Sequence, residues 1–175
     1  MIDRDTERLI VEAAEFIRSR YFGKYRGIVR DNDDPENMGR VRAQVPEIYG
    51  EVDSPWALPS VPFAGNGHGL VVLPEVDDGV WIEFEAGDIS RPIWSGCWWA
   101  RGEMPDPGGT ETRVLVTSGG HKLILDDAGG KVQLLHADGA EITLTGSEIT
   151  LKIGSSQIVL SSSGVSVNNG ALEVK

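Results

Sequence analysis

The stretch GAEITLTGSEITLKIGSSQIVLSSSG, positions 139–164, limits what this chain can become more than any other. It repeats a short apolar triplet between glycines and serines and holds neither an aromatic residue nor a proline. The pattern runs on to the C-terminus. Gly130, Gly139, Gly146, Gly154, Gly164 and Gly170 are separated by 9, 7, 8, 10 and 6 residues, a mean of eight. Between them lie Val132 and Leu134, Ile142 and Leu144, Ile149 and Leu151, Ile158 and Leu160, and Val165 and Val167. Each pair is spaced by two, so in a strand both members face one side. Thr143, Thr150, Val159 and Ser166 face the other. A period of eight with one strand per repeat predicts a β-solenoid or β-prism.

A lone meander of such short strands has one thin apolar face and nothing to lay it against. Several identical chains wound together would bury every pair on a shared axis, and three is the simplest arrangement. The spacing thus predicts a homotrimer with Ile142, Leu144, Ile149, Leu151, Ile158, Leu160, Val165 and Val167 on the axis and glycines near the corners. A flexible tail is disfavoured, because disordered segments keep no apolar periodicity.

Composition divides the chain. All twelve Phe, Trp and Tyr residues lie at or before Trp99, and all nine prolines at or before Pro107. The predicted organisation is a helix over 1–22, a barrel over 23–99, a Pro/Gly linker over 100–113 (ARGEMPDPGGTETR) and the repeat over 114–175. In the first segment Ile2, Leu9, Ile10, Ala13, Phe16 and Ile17 recur at helical spacing, with Asp3 or Asp5 as cap and Gly23 as stop. Ile2, Thr6, Leu9, Ala13, Phe16 and Arg20 alternate by four and three, which fits a coiled-coil seam; an amphipathic helix packed on its own domain fits equally well. No helix is expected after position 22.

In RVRAQV, Val41, Ala43 and Val45 alternate with Arg40, Arg42 and Gln44; in VWIEFE, Val80, Ile82 and Phe84 alternate with Trp81, Glu83 and Glu85. Both are period-two patterns of half-buried strands. KYRGIVRD, WALPSVPF, GLVVLP and RPIWSGCWW are further strand candidates, separated by the turn-rich DNDDPENMG, GNGHG, EVDDG and EAGDISRP. The count and spacing suggest a small closed barrel or a sandwich.

Catalytic and ligand chemistry is sparse. DNDDPENMG has Pro35 and Glu36 where a calcium loop needs a ligand and a glycine, so a turn is expected. GNGHG lacks phosphate-loop spacing. His68, His121 and His136 are far apart in sequence, and no cofactor or metal is expected. Glu83 and Glu85 are the only pair to weigh as hydrolase carboxylates, and charged alternation on a strand is ordinarily its solvated side. Cys97, the one cysteine, is expected to be a small buried hydrophobe. Trp94, Trp98 and Trp99 would suit base stacking, but the formal net charge of −11 opposes nucleic-acid binding. Core or interface roles are expected for them. The acidic N-terminus is no signal peptide, and no apolar run reaches membrane-span length. The chain is expected to be made in the cytoplasm.

The segments YFGKYRGIVRDNDDPENMGRVRAQVPEI, PWALPSVPFAG and VLPEVDDGVWIEFEAGDISRPIWSGCWW resemble the barrel of phage baseplate assembly protein V, the central spike of contractile tails and injection systems. They are also similar to type VI secretion valine–glycine repeat proteins. The GDxxRPIWxG segment is Gly87, Asp88, Arg91, Pro92, Ile93, Trp94 and Gly96. SGGHKLILDD, Ser118–Asp127, is similar to the onset of that family's needle. The resemblance implies an all-β chain with an oligonucleotide-binding-type (OB-fold) barrel, then an intertwined trimeric β-helix or β-prism needle. It implies a baseplate hub above, a conical PAAR-like tip protein below, and a target membrane met when the particle fires outside the cell. With 14 residues between barrel and needle, no lysozyme insertion is expected. A needle end exposes unpaired strand groups, which proteins cover, and Ala171, Leu172, Glu173, Val174 and Lys175 are the expected tip contacts. Rival readings are an effector-carrying type VI-like spike, a single-strand nucleic-acid-binding module and a peptidoglycan hydrolase.

Overall fold

A computed structural model describes residues 3–174; Ile2, Lys175 and the side chains of Glu173 and Val174 lie outside what it describes. The chain divides into two units, with the break after Gly102.

The first unit opens with α1 (Arg4–Arg18), shorter than the expected 1–22. Asp3 caps it, its carboxylate accepting from the Thr6 amide at 2.9 Å, which satisfies one of the free N–H groups of the first turn. The strands follow as β1 (Tyr25–Asp31), β2 (Arg42–Gln44), β3 (Leu58–Pro59), β4 (Ala64–Gly65), β5 (His68–Gly69), β6 (Gly79–Phe84) and β7 (Pro92–Trp98). β4 and β5 make a separate small hairpin. The others form one curled sheet, a half-barrel of the oligonucleotide-binding type, in the order β2-β1-β6-β7-β3. All its pairs are antiparallel except β3 with β7.

The alternation fixes the core. Val41, Ala43, Val45, Val80 and Ile82 are fully buried and Phe84 nearly so, joined by Val29, Ala57 and Trp94. Burying such side chains contributes about 1.5–3 kcal/mol each. The Trp94 indole donates to the Gly39 carbonyl at 3.0 Å. Ser54, fully buried among these strands, accepts from the Ala43 amide and donates to the Pro55 carbonyl. β1 crosses this core at Gly27, where a Cβ would lie 3.2–3.3 Å from Ile82, Ala43 and Val45.

Three expectations change here. Two short helical turns follow position 22: α2 (Pro46–Tyr49) and a 3₁₀ turn at Glu85–Gly87. Pro46 sits at the start of α2, where its missing N–H costs nothing, and Gly50 ends it at φ 61°; four residues are too few to register as periodicity. GLVVLP forms no strand beyond Gly69, and Leu70, Val71 and Val72 stay exposed. WALPSVPF contributes only Leu58–Pro59, since Pro59 and Pro62 have no N–H to give a ladder.

The second unit is a single antiparallel meander of eight strands, each paired with its neighbours in sequence. They are β8 (Thr112–Val116), β9 (Lys122–Asp126), β10 (Lys131–Leu135), β11 (Ala140–Thr145), β12 (Glu148–Ile153), β13 (Ser156–Ser161), β14 (Gly164–Val167) and β15 (Leu172–Val174). Gly139 and Gly154 turn the chain at φ 94° and 56°, and Asn168 and Asn169 do so at 50° and 57°, conformations that glycine and asparagine adopt most readily. Residues 103–111 belong to this unit. The Lys122 ammonium donates to the Asp106 carbonyl at 3.0 Å, and the Asp127 amide to that of Glu111 at 2.9 Å.

Candidate functional site: an uncovered apolar face

The meander's register aligns the repeat's side chains into two continuous columns on one face. Leu125, Val132, Leu144, Ile149, Leu160 and Val165 stand opposite one another from strand to strand. Beside them run Leu115, Leu123, Leu134, Ile142, Leu151, Ile158, Val167 and Leu172. All eight residues expected on a shared axis lie in these columns. Cross-strand apolar pairs of this kind contribute about 0.2–1 kcal/mol each.

Among the described residues these columns are only partly covered: Ile142, Val165 and Val167 are half-buried. Leu115, Leu123, Leu125, Val132, Leu134, Leu144, Ile149, Leu151, Ile158, Leu160 and Leu172 remain 38–59% exposed. An apolar surface of this extent is far beyond the isolated exposed residues of ordinary proteins and marks an interaction site. The opposite face is mixed: Val114, Ile124, Gln133, Thr143, Thr150, Val159 and Ser166 follow one line, with Ile124 buried, and Lys122, Leu135, Glu141, Lys152 and Gln157 another. There Lys152 and Glu141 pair at 3.6 Å. An apolar hollow of about 450 Å³, bounded by Leu134, Ile142, Leu151 and Ile153 with His121 and His136 at its rim, belongs to the same surface.

Val132 and Leu134, a pair recognised in the repeat, were left off the list of axis residues, and three further column members escaped sequence analysis altogether: Leu115, Leu123 and Leu125. Their two-residue spacing was the available signal, but the glycine period falters before Gly130. Leu172, expected at the tip, continues a column, because β15 pairs with β14 through Val167 and Leu172. β15 is an edge strand of the sheet.

The other candidates fare differently. His121 and His136, distant in sequence, sit on neighbouring turns with ring centroids 4.4 Å apart. Each Nδ1 accepts a backbone amide proton, from Ala137 at 3.3 Å and Asp138 at 3.1 Å, which places the ring proton on Nε2. Among the described residues no group of three or more His, Cys, Asp or Glu is placed to hold a metal. Glu83 lies 3.6 Å from the Lys24 ammonium, and Glu85, in the 3₁₀ turn beyond β6, pairs with Arg91 at 2.6 Å. Cys97 is exposed rather than buried. It stands opposite the buried Val80, beyond a register shift in the β6–β7 pairing; partial covering of the sulfur, then the Asp78 carboxylate, raise the thiol pKa, the reverse of nucleophile activation. Trp94 is core, Trp98 is half-buried with its indole donating to the Val80 carbonyl at 3.2 Å, and Trp99 is 64% exposed. In DNDDPENMG, Asp34 organises the turn. It is 4% exposed, binds the Arg40 guanidinium at 2.6 Å and accepts from the amides of Glu36, Met38 and Arg40. The Arg40 hydrogen bond, aided by those amides, holds its carboxyl well below the usual carboxylate range.

A small barrel joined to a sheet whose apolar face is complete only against another surface defines a structural assembly protein. Residues 25–99 match the family described as the type VI secretion system/phage-baseplate injector OB domain, and residues 112–173 match the phage baseplate V C-terminal trimerisation domain. The chain belongs to the phage baseplate V family and has a structural role in a baseplate or spike. It is also similar to the type VI secretion system spike protein VgrG4b of Pseudomonas aeruginosa, with 38% identity over 66 residues. That stretch is 35% of this chain and 8% of the relative's length. Among the described residues no helix is long and apolar enough to cross a membrane.

Proposed function

We propose that this chain is the non-enzymatic central spike of a contractile tail or injection particle, working as a homotrimer. Three meanders set their paired apolar columns against one another and form a stiff needle. The barrel links the trimer to a baseplate hub, and a conical PAAR-like protein covers the needle's end at Ala171–Lys175. Sheath contraction then loads the target membrane through this narrow element. The observation that carries the reading is the pair of unbroken columns, left exposed in a chain that bears a trimerisation domain. Light scattering on the purified protein is expected to give about three times the 18.9 kDa chain mass. A stable monomer refutes it. The same preparation is expected to leave peptidoglycan intact in a zymogram.

A further inference from the structure

We propose that Asn66 is a site of spontaneous covalent modification, at which the side-chain amide is lost to water and the main chain rearranges to isoaspartate. The chain has two Asn-Gly pairs, Asn66–Gly67 and Asn169–Gly170, and both are exposed. The first is the two-residue turn between β4 and β5; the second lies in the turn between β14 and β15. The chemistry open to each is the same. The glycine nitrogen gives its proton to a solvent base and attacks the asparagine Cγ. A C–N bond forms, the Cγ–Nδ2 bond breaks, and ammonia leaves with a proton taken from solvent. Water then opens the five-membered imide at either carbonyl, giving aspartate or isoaspartate. Glycine suits this step because it has no Cβ to obstruct the approach.

Hydrogen bonding separates the two pairs. The Asn169 Oδ1 accepts from the Gln157 side-chain amide. Beside it, the Asn168 amide donates to the Gln157 carbonyl at 2.9 Å, and the Asn168 Oδ1 accepts from the Gln157 amide at 2.9 Å. The Ala171 amide closes that turn on the Asn168 carbonyl at 3.4 Å. The Asn169 carboxamide must therefore leave Gln157 before it can swing towards Gly170. Among the described residues no hydrogen bond holds the Asn66 carboxamide; the His68 Nδ1 meets the backbone carbonyl of Asn66 instead, at 3.1 Å. β4 and β5 form a sheet of their own, and a Cβ placed on Gly67 would have no neighbour within 4 Å. The product alters the loop. Positions 54–74 carry no Asp, Glu, Lys or Arg, and Phe63, Leu70, Val71 and Val72 stand 52–81% exposed there. Conversion puts a carboxylate into this uncharged stretch. Isoaspartate also adds one main-chain carbon to the turn that sets the Gly65–His68 pairing.

The full chain, held in warm, mildly alkaline buffer, tests this. Near-ultraviolet dichroism follows the fold while peptide mass mapping follows each asparagine. The Asn66 peptide is expected to convert to its aspartate and isoaspartate forms about five- to tenfold faster than the Asn169 peptide, the ratio set by one further hydrogen bond that must break. Gln157→Ala is expected to raise the Asn169 rate towards that of Asn66 and to leave Asn66 unchanged. Asn66→Gln is expected to abolish conversion at that position, since glutamine must close a six-membered imide. Conversion of Asn66 no faster than Asn169 in the folded chain overturns the inference, as does conversion of Asn66 only after unfolding in urea. A Gln157→Ala chain in which Asn169 still lags behind Asn66 also overturns it, because the bonding would then not be what separates the two sites.

Discussion

Replacing Leu151 with Asp tests the meeting of the apolar columns most directly. Leu151 stands between Ile142 and Ile158 on the adjoining strands and is 43% exposed in the single chain. Losing those two cross-strand contacts costs the isolated meander about 0.4–2 kcal/mol. In the proposed trimeric needle the side chain would be dry, and each carboxylate placed there without a partner would cost several kcal/mol in desolvation, on the order of 10 kcal/mol for three copies. Association therefore suffers far more than the fold of one chain. Light scattering is expected to show monomer at micromolar concentration, with the barrel's near-ultraviolet dichroism intact. Thr150→Asp, one residue earlier on the opposite face between Thr143 and Val159, is the matched control. It is expected to stay trimeric and lose less than about 1 kcal/mol. A Leu151→Asp trimer as stable as the Thr150→Asp trimer would refute the assignment of faces.

Asp34→Asn destabilises the barrel, and the size of the loss depends on pH. The Asp34 carboxyl titrates below its unfolded value, so its contribution is fully present above about pH 4 and fades as pH falls through the lower folded value. Urea melts of the two proteins are expected to differ by a constant amount above that pH and to converge below it; a pH-independent gap contradicts the ion-paired turn. At Gly79 a Cβ would sit 2.5 Å from the Trp98 ring, so Gly79→Ala is expected to cost about 1–3 kcal/mol, read as a lower melting temperature by tryptophan fluorescence. Deleting the residues after Gly170 is expected to abolish capture of the tip protein encoded with the chain while the trimer persists; unchanged capture removes that contact.

Strands whose burial alternates were legible in the sequence, because the pleat writes burial directly into every second residue. Val41, Ala43 and Val45, and Val80, Ile82 and Phe84, show this. The octad columns were legible for the same reason from Val132 onward. Patterns failed where the partner, not the segment, decides the structure. Leu70–Val72 has strand composition but no ladder to join, and the exposure of Cys97 follows a register shift in the β6–β7 pairing that no spacing announces. His121 and His136 meet because two turns return to the same edge, a relation that hairpin register creates and linear spacing hides. Leu115, Leu123 and Leu125 were obscured by the irregular turns that precede Gly130.

In the meander every strand pairs with the one before it and the one after it. Sequence separation between contacting residues is therefore small, and folding can begin at any hairpin and zip outward without the entropy cost of closing long loops. The same locality makes the length of the meander a modular quantity. Adding or removing one hairpin, two strands at about 4.8 Å each, changes reach by about 10 Å while preserving the column register and leaving the barrel untouched.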